Sequence, residues 1–366
     1  MSDMNRREFL KGGTCLGAMA AGVGLTGCAT RPTVATPHPD FMWADLVHLG
    51  INSWADCYLK EWGPWKRGTP EEHCVTLRQA EPYMRTTDEE WRFCVDGLVK
   101  AGANTLVIDM AEGIQYESHP ELAVKGSWSI EKFRRELDRI RAMGVEPIPK
   151  MNFSTTHDTW LKDYHRMVST PTYYRVCEDV IREVYEIFDR PRYFHLGYDE
   201  ESAALQARYA YVVVRQGELW WHDFLWFDKV VEDLGARPWI WADRVWHHRE
   251  EFEKRMPKSV LLSNWYYGTE FDVAKLKDVS ARTRVSAYGW IEKAGFDQVP
   301  CGTNRDEDFA CLPNTVAHCV PLIAPERLKG FCLAPWSRQV PEYRRKNETS
   351  FRAMAAAKAK YAELKG

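Results

Sequence analysis

With 366 residues and a formal net charge of -3, the chain is long enough for one large core and lacks the basic excess that nucleic-acid binding requires. Its 16 Trp and 16 Tyr stand out, because flat rings serve cores and interfaces and also stack against the apolar face of a pyranose. The ten Cys and eleven His show no Cys-x-x-Cys or His-Glu-x-x-His spacing, so neither a metal nor another cofactor is expected.

In chain order, residues 1–28 read as an export signal. Asn5-Arg6-Arg7-Glu8-Phe9-Leu10-Lys11 has the twin-arginine form, and the apolar run from Gly12 to Gly27 is too short and too rich in small residues to span a bilayer. Leu25-Thr26-Gly27-Cys28 resembles a bacterial lipobox. The expected product is an exported lipoprotein, anchored through Cys28 on the periplasmic or cell-surface side, with residues 29–40 as a Pro- and Thr-rich tether.

A first strand is predicted near 45–51. Thr87-Asp88-Glu89-Glu90 has capping-box form, and Trp91, Val95 and Leu98 then recur at helical spacing until Gly102, just before a strand near 104–110. Ile130, Phe133, Leu137 and Ile140 repeat the pattern and end at Gly144, before a strand near 145–150. Val176, Val180, Val184 and Ile187 precede a strand near 193–197. Phe224, Phe227, Val231 and Leu234 lead through Gly235 to a strand near 238–242. Runs near 259–265, 284–290 and 330–335 bring the strands to eight, the number that closes a parallel α/β barrel. The fold expected is a single-domain (β/α)8 TIM barrel over residues 41–345, with residues 346–366 as a C-terminal helix packed on it. An open doubly wound sheet is the alternative, but no Gly-x-Gly-x-x-Gly turn follows the first strand.

Barrel enzymes carry their chemistry at the C-terminal ends of the strands. Glu112, His157, Asp199, Glu200, Asp243, Trp265, Tyr288 and Trp336 all fall at or just after predicted strand ends. The segment Tyr193-Phe194-His195-Leu196-Gly197-Tyr198-Asp199-Glu200-Glu201 is the most informative, as a short apolar strand running into three consecutive carboxylates. Adjacent acids raise each other's pKa and favour one retained proton near neutral pH, which is the condition for general acid catalysis. Successive strand side chains point to opposite faces, so Asp199 and Glu200 do not easily flank one bond as acid and nucleophile.

This segment resembles the His-x-Gly-x-Asp-Glu motif of glycoside hydrolase family 20, the β-N-acetylhexosaminidases, with Tyr198 where that family usually has a second Gly. Asn104–Glu112 followed by Ser118-His119-Pro120-Glu121-Leu122 is similar to that family's second barrel strand and the loop after it. Val145–Asn152 with His157 is similar to its third. Trp239–Asp243, Ser263–Tyr266, Tyr288-Gly289-Trp290 and Pro335-Trp336-Ser337 resemble its aromatic-tipped later strands. The similarity extends over residues 45–340.

The resemblance implies an enzyme that removes terminal β-linked N-acetylhexosamine by a retaining, substrate-assisted route. Glu200 would protonate the leaving oxygen while the 2-acetamido carbonyl attacks the anomeric carbon, and Asp199 would orient that amide. His157, with Glu112 or, three residues earlier, Asp109 as carboxylate partner, would hold the acid. Trp241, Trp265 and Trp336 would wall the acetamido pocket, with Tyr288 donating to its carbonyl. The partners implied are a glycan or cell-wall fragment and, through Cys28, a membrane. Two departures stand out: the first strand lacks the family's sugar-gripping Arg, and Arg338 replaces the Glu of its Trp-x-Glu. A related glycosidase for a different or anionic aminosugar and a catalytically silent carbohydrate-binding lipoprotein therefore remain as alternatives. An oxidising compartment would permit disulfides among Cys301, Cys311, Cys319 and Cys332.

Overall fold

The computed structural model describes residues 34–54, 80–206, 209, 211–304 and 309–366. The twin-arginine segment and Cys28 lie outside the described residues. Eight strands run in parallel: β1 (Met42–His48), β2 (Thr105–Asp109), β3 (Glu146–Lys150), β4 (Tyr193–Gly197), β5 (Arg237–Trp241), β6 (Leu261–Ser263), β7 (Cys301–Gly302) and β8 (Gly330–Leu333). They are ordered β6-β5-β4-β3-β2-β1-β8-β7. The remaining seam is closed by single bridges, Leu262 with Gln298 and Trp265 with Cys301, so the sheet forms a TIM barrel.

The helices are α1 (Asp88–Lys100), α2 (Ile130–Ala142), α3 (Pro171–Ile187), α4 (Gly217–Asp233), α5 (Arg244–His247), α6 (Arg249–Arg255), α7 (Val279–Lys293), α8 (Cys311–Leu322) and α9 (Arg344–Lys365). Local chemistry fixes where several begin. The hydroxyls of Thr87, Ser129 and Thr170 accept from the backbone N–H groups of Glu90, Lys132 and Tyr173, satisfying donors that the first turn leaves free. Alternation along the strands then divides the core in two. Ala44, Leu46, Val107, Ile148, Trp239, Leu261 and Val299 fill the barrel, while Val47, Leu106, Ile108, Phe194, Leu196 and Ile240 face the helices. Helix α9 closes over α1 where Gly97 lets the Phe351 ring approach. A Cβ at Gly97 would lie 2.1 Å from that ring, which accounts for a residue that weakens helix interiors.

One predicted strand is corrected: residues 284–290 lie inside α7, and the seventh strand is the two-residue β7. Asp278 caps α7 through the Ala281 N–H at 2.8 Å, and Val285, Tyr288 and Ile291 are buried at a three-residue spacing. Over so short a run, the apolar positions Val285 and Ala287 fit a strand period as well as a helical one, and the cap decides. The disulfides that the sequence permits are also absent, since Cys301, Cys311, Cys319 and Cys332 are buried free thiols. Cys311 and Cys319 stand eight residues apart on α8, about 12 Å at 1.5 Å per residue, beyond the reach of a disulfide.

At the tip of β4 the chain enters the left-handed region at Gly197 (φ 73°), Tyr198 (φ 68°) and Glu200 (φ 56°). Gly197 is also crowded, for a Cβ there would meet the Asn152 side-chain oxygen at 2.1 Å. Gly197→Ala is expected to cost more than the roughly 1–3 kcal/mol of left-handed strain alone. Gly295, with φ 78° and nothing within 4 Å, supplies the comparison. Denaturant unfolding of both alanine variants should show the larger loss at position 197.

Candidate active site

The strained β4 tip is held from both sides. From the loop after β3, Ser154 Oγ donates to the Asp199 carbonyl (2.5 Å) and Thr156 Oγ1 to that of Glu200 (2.9 Å). From the end of β5, Asp243 Oδ2 accepts the Glu200 N–H at 2.8 Å. This clamp turns the two acids toward one imidazole. His157 Nε2 lies 3.3 Å from Asp199 Oδ2 and 3.4 Å from Glu200 Oε2, and Asn152 Nδ2 donates to the other Asp199 oxygen at 2.8 Å. Asp199 and His157 are buried, whereas the Glu200 side chain keeps 32 % of its surface exposed.

Charge is distributed unevenly in this cluster. Burial lowers the pKa of His157, but the charge and hydrogen bond of Asp199, joined by Glu200, outweigh it and raise the imidazole to about 9. Burial likewise pushes Asp199 up, and it is outweighed by His157, Lys150 and the Asn152 hydrogen bond, which hold the carboxyl well below the usual range. Lys150 is itself paired with Asp109 at 2.5 Å in the barrel interior. Asp243 is the acid whose pKa rises, to about 7, through burial and then the charges of Asp199 and Glu200, against the bond from the Glu200 N–H. The sequence expectation placed the retained proton on the adjacent pair. The structure lowers Asp199 instead, because the cations that face it cannot be seen in a local run of acids.

Above the acids opens a cleft of about 1640 Å³ lined by Trp54, Trp241, Trp265, Tyr267 and Trp336, with His48 and His157. The rings form a continuous wall. Trp54 sits 5.8 Å from His157 and 6.1 Å from Trp336, and Trp336 Nε1 donates to the Tyr267 hydroxyl at 2.9 Å. Tyr267 in turn stacks on Trp265 at 5.0 Å. Among the described residues, the Trp241 Nε1–H and both His48 nitrogens find no hydrogen-bond partner and are buried beside this space. His48 is neutral, since burial lowers its pKa to about 4.

Of the residues singled out from sequence, Asp199, Glu200, His157, Trp241, Trp265 and Trp336 converge on this cleft, Asp243 holds the Glu200 N–H without lining it, and two have other places. Glu112 does not touch His157; its carboxylate accepts from the backbone N–H groups of Ile51 and Asn52, each at 2.9 Å, and so fixes the turn after β1. Tyr288 belongs to α7 rather than a strand end, and its buried hydroxyl has no partner and does not line the cleft. Glu201, third in the acidic run, is taken up by the buried Arg215, 2.8 Å away, and has a structural part. Arg338 is absent from the cleft lining. Sequence reasoning passed over Trp54, Tyr267 and the clamping part of Asp243, although each stands just beyond a strand end or beside a residue already chosen.

A small divalent cation would find three ligand atoms here, from His157, Asp199 and Glu200, all within 4.8 Å of one another. A protonated imidazole has no lone pair for a metal, and His157 keeps its proton to about pH 9, so the proton competes with any cation below that pH.

Comparison with known proteins finds matches among solved structures. In fold, the barrel resembles an exo-β-N-acetylglucosaminidase of family GH20 from Vibrio harveyi, solved with N-acetylglucosamine, at TM-score 0.53 and 13 % identity, covering 90 % of this chain and 59 % of that one. It also resembles a β-N-acetylhexosaminidase from Bacteroides fragilis, at TM-score 0.54 and 12 % identity, covering 90 % of this chain and 71 % of the other. A catalytic GH20 module of a pneumococcal exo-β-D-N-acetylglucosaminidase follows, at TM-score 0.51 and 10 % identity, covering 87 % and 83 %. The chain has a GH20-like fold. No family model matches the sequence, and no curated protein matches it either. The GH20-like barrel thus spans about three fifths of the length of the Vibrio harveyi protein.

The protonated His157 makes stability depend on pH with a definite sign. Its folded pKa, about 9, is above its ordinary 6.5, so its contribution is complete below about pH 6.5 and is lost as pH rises through 9. The stability gap between the wild type and His157→Gln should therefore be widest at pH 6 and narrow steadily to pH 9.5. Chemical denaturation across that range measures it.

Proposed function

We propose that this chain is an exported glycosidase that removes terminal β-linked N-acetylhexosamine by retaining, substrate-assisted hydrolysis. One observation carries the reading: the two acids converge on a single imidazole nitrogen, at 3.3 and 3.4 Å. Carboxyl groups that share one Nε2 cannot stand on opposite faces of a sugar ring, so Asp199 is badly placed to act as a nucleophile across from Glu200. An internal nucleophile resolves this, namely the carbonyl of a 2-acetamido group on the substrate. In that scheme the partly exposed Glu200 gives its proton to the leaving oxygen and later removes one from water. Asp199, held as an anion by His157 and Lys150, faces the amide nitrogen as positive charge develops on it. Trp241, Trp265 and Trp336 enclose the acetamido group in this reading, with the unpartnered Trp241 N–H as a donor. The GH20-like fold favours it as well.

The silent carbohydrate-binding alternative keeps the aromatic cleft and forgoes the acid. The strained tip speaks against it, because a left-handed Glu200 clamped by Asp243 and Thr156 has a cost that mere binding does not require. The anionic-aminosugar alternative draws no support from Arg338, which is not among the residues that line the cleft. Export and lipidation at Cys28 complete the proposal and place the enzyme at a membrane surface.

Glu200→Gln should reduce hydrolysis of substrates with poor leaving groups by roughly 10²–10⁴-fold, and far less with an activated aryl leaving group. Equal losses on both would rule Glu200 out as the acid. A thiazoline mimic of the cyclised intermediate should inhibit strongly, and Asp199→Asn should weaken that inhibition by removing the charge opposite the ring nitrogen. For localisation, Cys28→Ser should release the protein from the membrane fraction on cell fractionation.

A further inference from the structure

Among the described residues, the part-buried arginines Arg139, Arg192, Arg237, Arg244 and Arg327 each face a carboxylate within 4 Å. Arg284 lines the cleft and has no carboxylate partner within 4 Å among the described residues. Its guanidinium is fixed nonetheless, 4.6 Å from the Trp246 ring and 4.5 Å from the Trp265 ring, with Nε buried and unpartnered. The two rings also touch each other at 4.6 Å. The nearest acid of the lining on the same helix, Asp278, spends a carboxylate oxygen on the Ala281 N–H as the cap of α7. Across the cleft, α9 presents Arg345, Lys346 and Arg352, but Glu342 and Glu348 line that side too. What marks the spot is therefore the fixation of Arg284 rather than net charge. A cation held against two aromatic rings has already lost much of its rotamer freedom, and its remaining N–H groups form a fork suited to an oxyanion.

Arg284 also has a defined place relative to the acids. The aromatic wall runs from Trp54 at His157 through Trp336 and Tyr267 to Trp265, and Arg284 stacks on the last of these. A cleft of about 1640 Å³ exceeds the roughly 300–1,000 Å³ of ordinary small-ligand pockets, leaving room for more than the cleaved sugar. The geometry points to an oxyanion subsite in which Arg284 receives a carboxylate or sulfate carried by the glycan beyond the sugar held at Glu200. This rests on the glycosidase reading above for its substrate and adds the class: N-acetylhexosamine linked to an acidic neighbour.

The test compares three disaccharides with N-acetylglucosamine at the non-reducing end, β-linked to glucuronate, to a 6-sulfated N-acetylglucosamine or to neutral N-acetylglucosamine. The wild type should favour one or both acidic substrates in kcat/KM. Arg284→Gln should lower the acidic-to-neutral ratio by roughly 10-fold or more, the range of a hydrogen bond to a charged group, and Arg284→Lys should restore part of it. The arm that responds identifies the anion as carboxylate or sulfate. If Arg284 only props up Trp265, all three substrates will lose equally and the ratio will not move, which overturns the subsite. If no substrate is turned over, the glycosidase reading fails separately. Calorimetric binding of the same sugars then decides the subsite, which stands if the acidic preference depends on Arg284 and falls if all bind alike.

Discussion

The site depends on one shared interaction, the His157 ring nitrogen placed between the carboxyl groups of Asp199 and Glu200. A buried imidazolium facing two acids is favourable only if the acids cannot turn away, since an unpaired charge at that depth costs several kcal/mol. Much of the surrounding architecture serves that requirement. Asn152 holds the second Asp199 oxygen, Ser154 and Thr156 hold the two peptide carbonyls, and Asp243 holds the Glu200 N–H. The left-handed backbone at the β4 tip follows from these constraints.

The surroundings beneath the cleft separate four acids that chemistry alone would make alike. Asp199 sees His157 and Lys150 and is held ionised. Asp243 sees mainly two anions from a buried position and retains a proton to about pH 7. Glu201 is spent on Arg215, which also reaches Asp223 and the Phe153 carbonyl and so ties the loop after β4 to the structure around it. Only Glu200 combines a fixed backbone with a partly exposed carboxyl, the combination a proton donor to a bound ligand needs.

The aromatic wall extends the same design outward. Its rings are held by one another and by hydrogen bonds such as that from Trp336 to Tyr267, so a sugar would meet a surface already ordered. Arg284 at its far end is ordered in the same way, by ring faces instead of a counter-ion.

Helix periodicity was legible in the sequence for α1, α2, α3 and α4, with glycine stops after α1, α2 and α4 and a threonine cap before α1, because these signals act within one or two turns. Seven of the eight strands were legible for a related reason: buried parallel strands are short apolar runs bounded by stops. The run at 284–290 misled, since a strand and a helical face look alike over so few residues and only the Asp278 cap distinguishes them. The motif around Asp199 and Glu200 could be read because its residues are contiguous. Partners distant in the chain could not. That Glu112 binds the turn after β1, that Lys150 and His157 lower Asp199, that Asp243 clamps Glu200, and that Tyr288 faces the helix layer all depend on how eight strands close. Sequence determines the local period and the chemical groups available; closure of the barrel decides which of them meet, because burial and Coulomb interactions depend on distance in space and not along the chain.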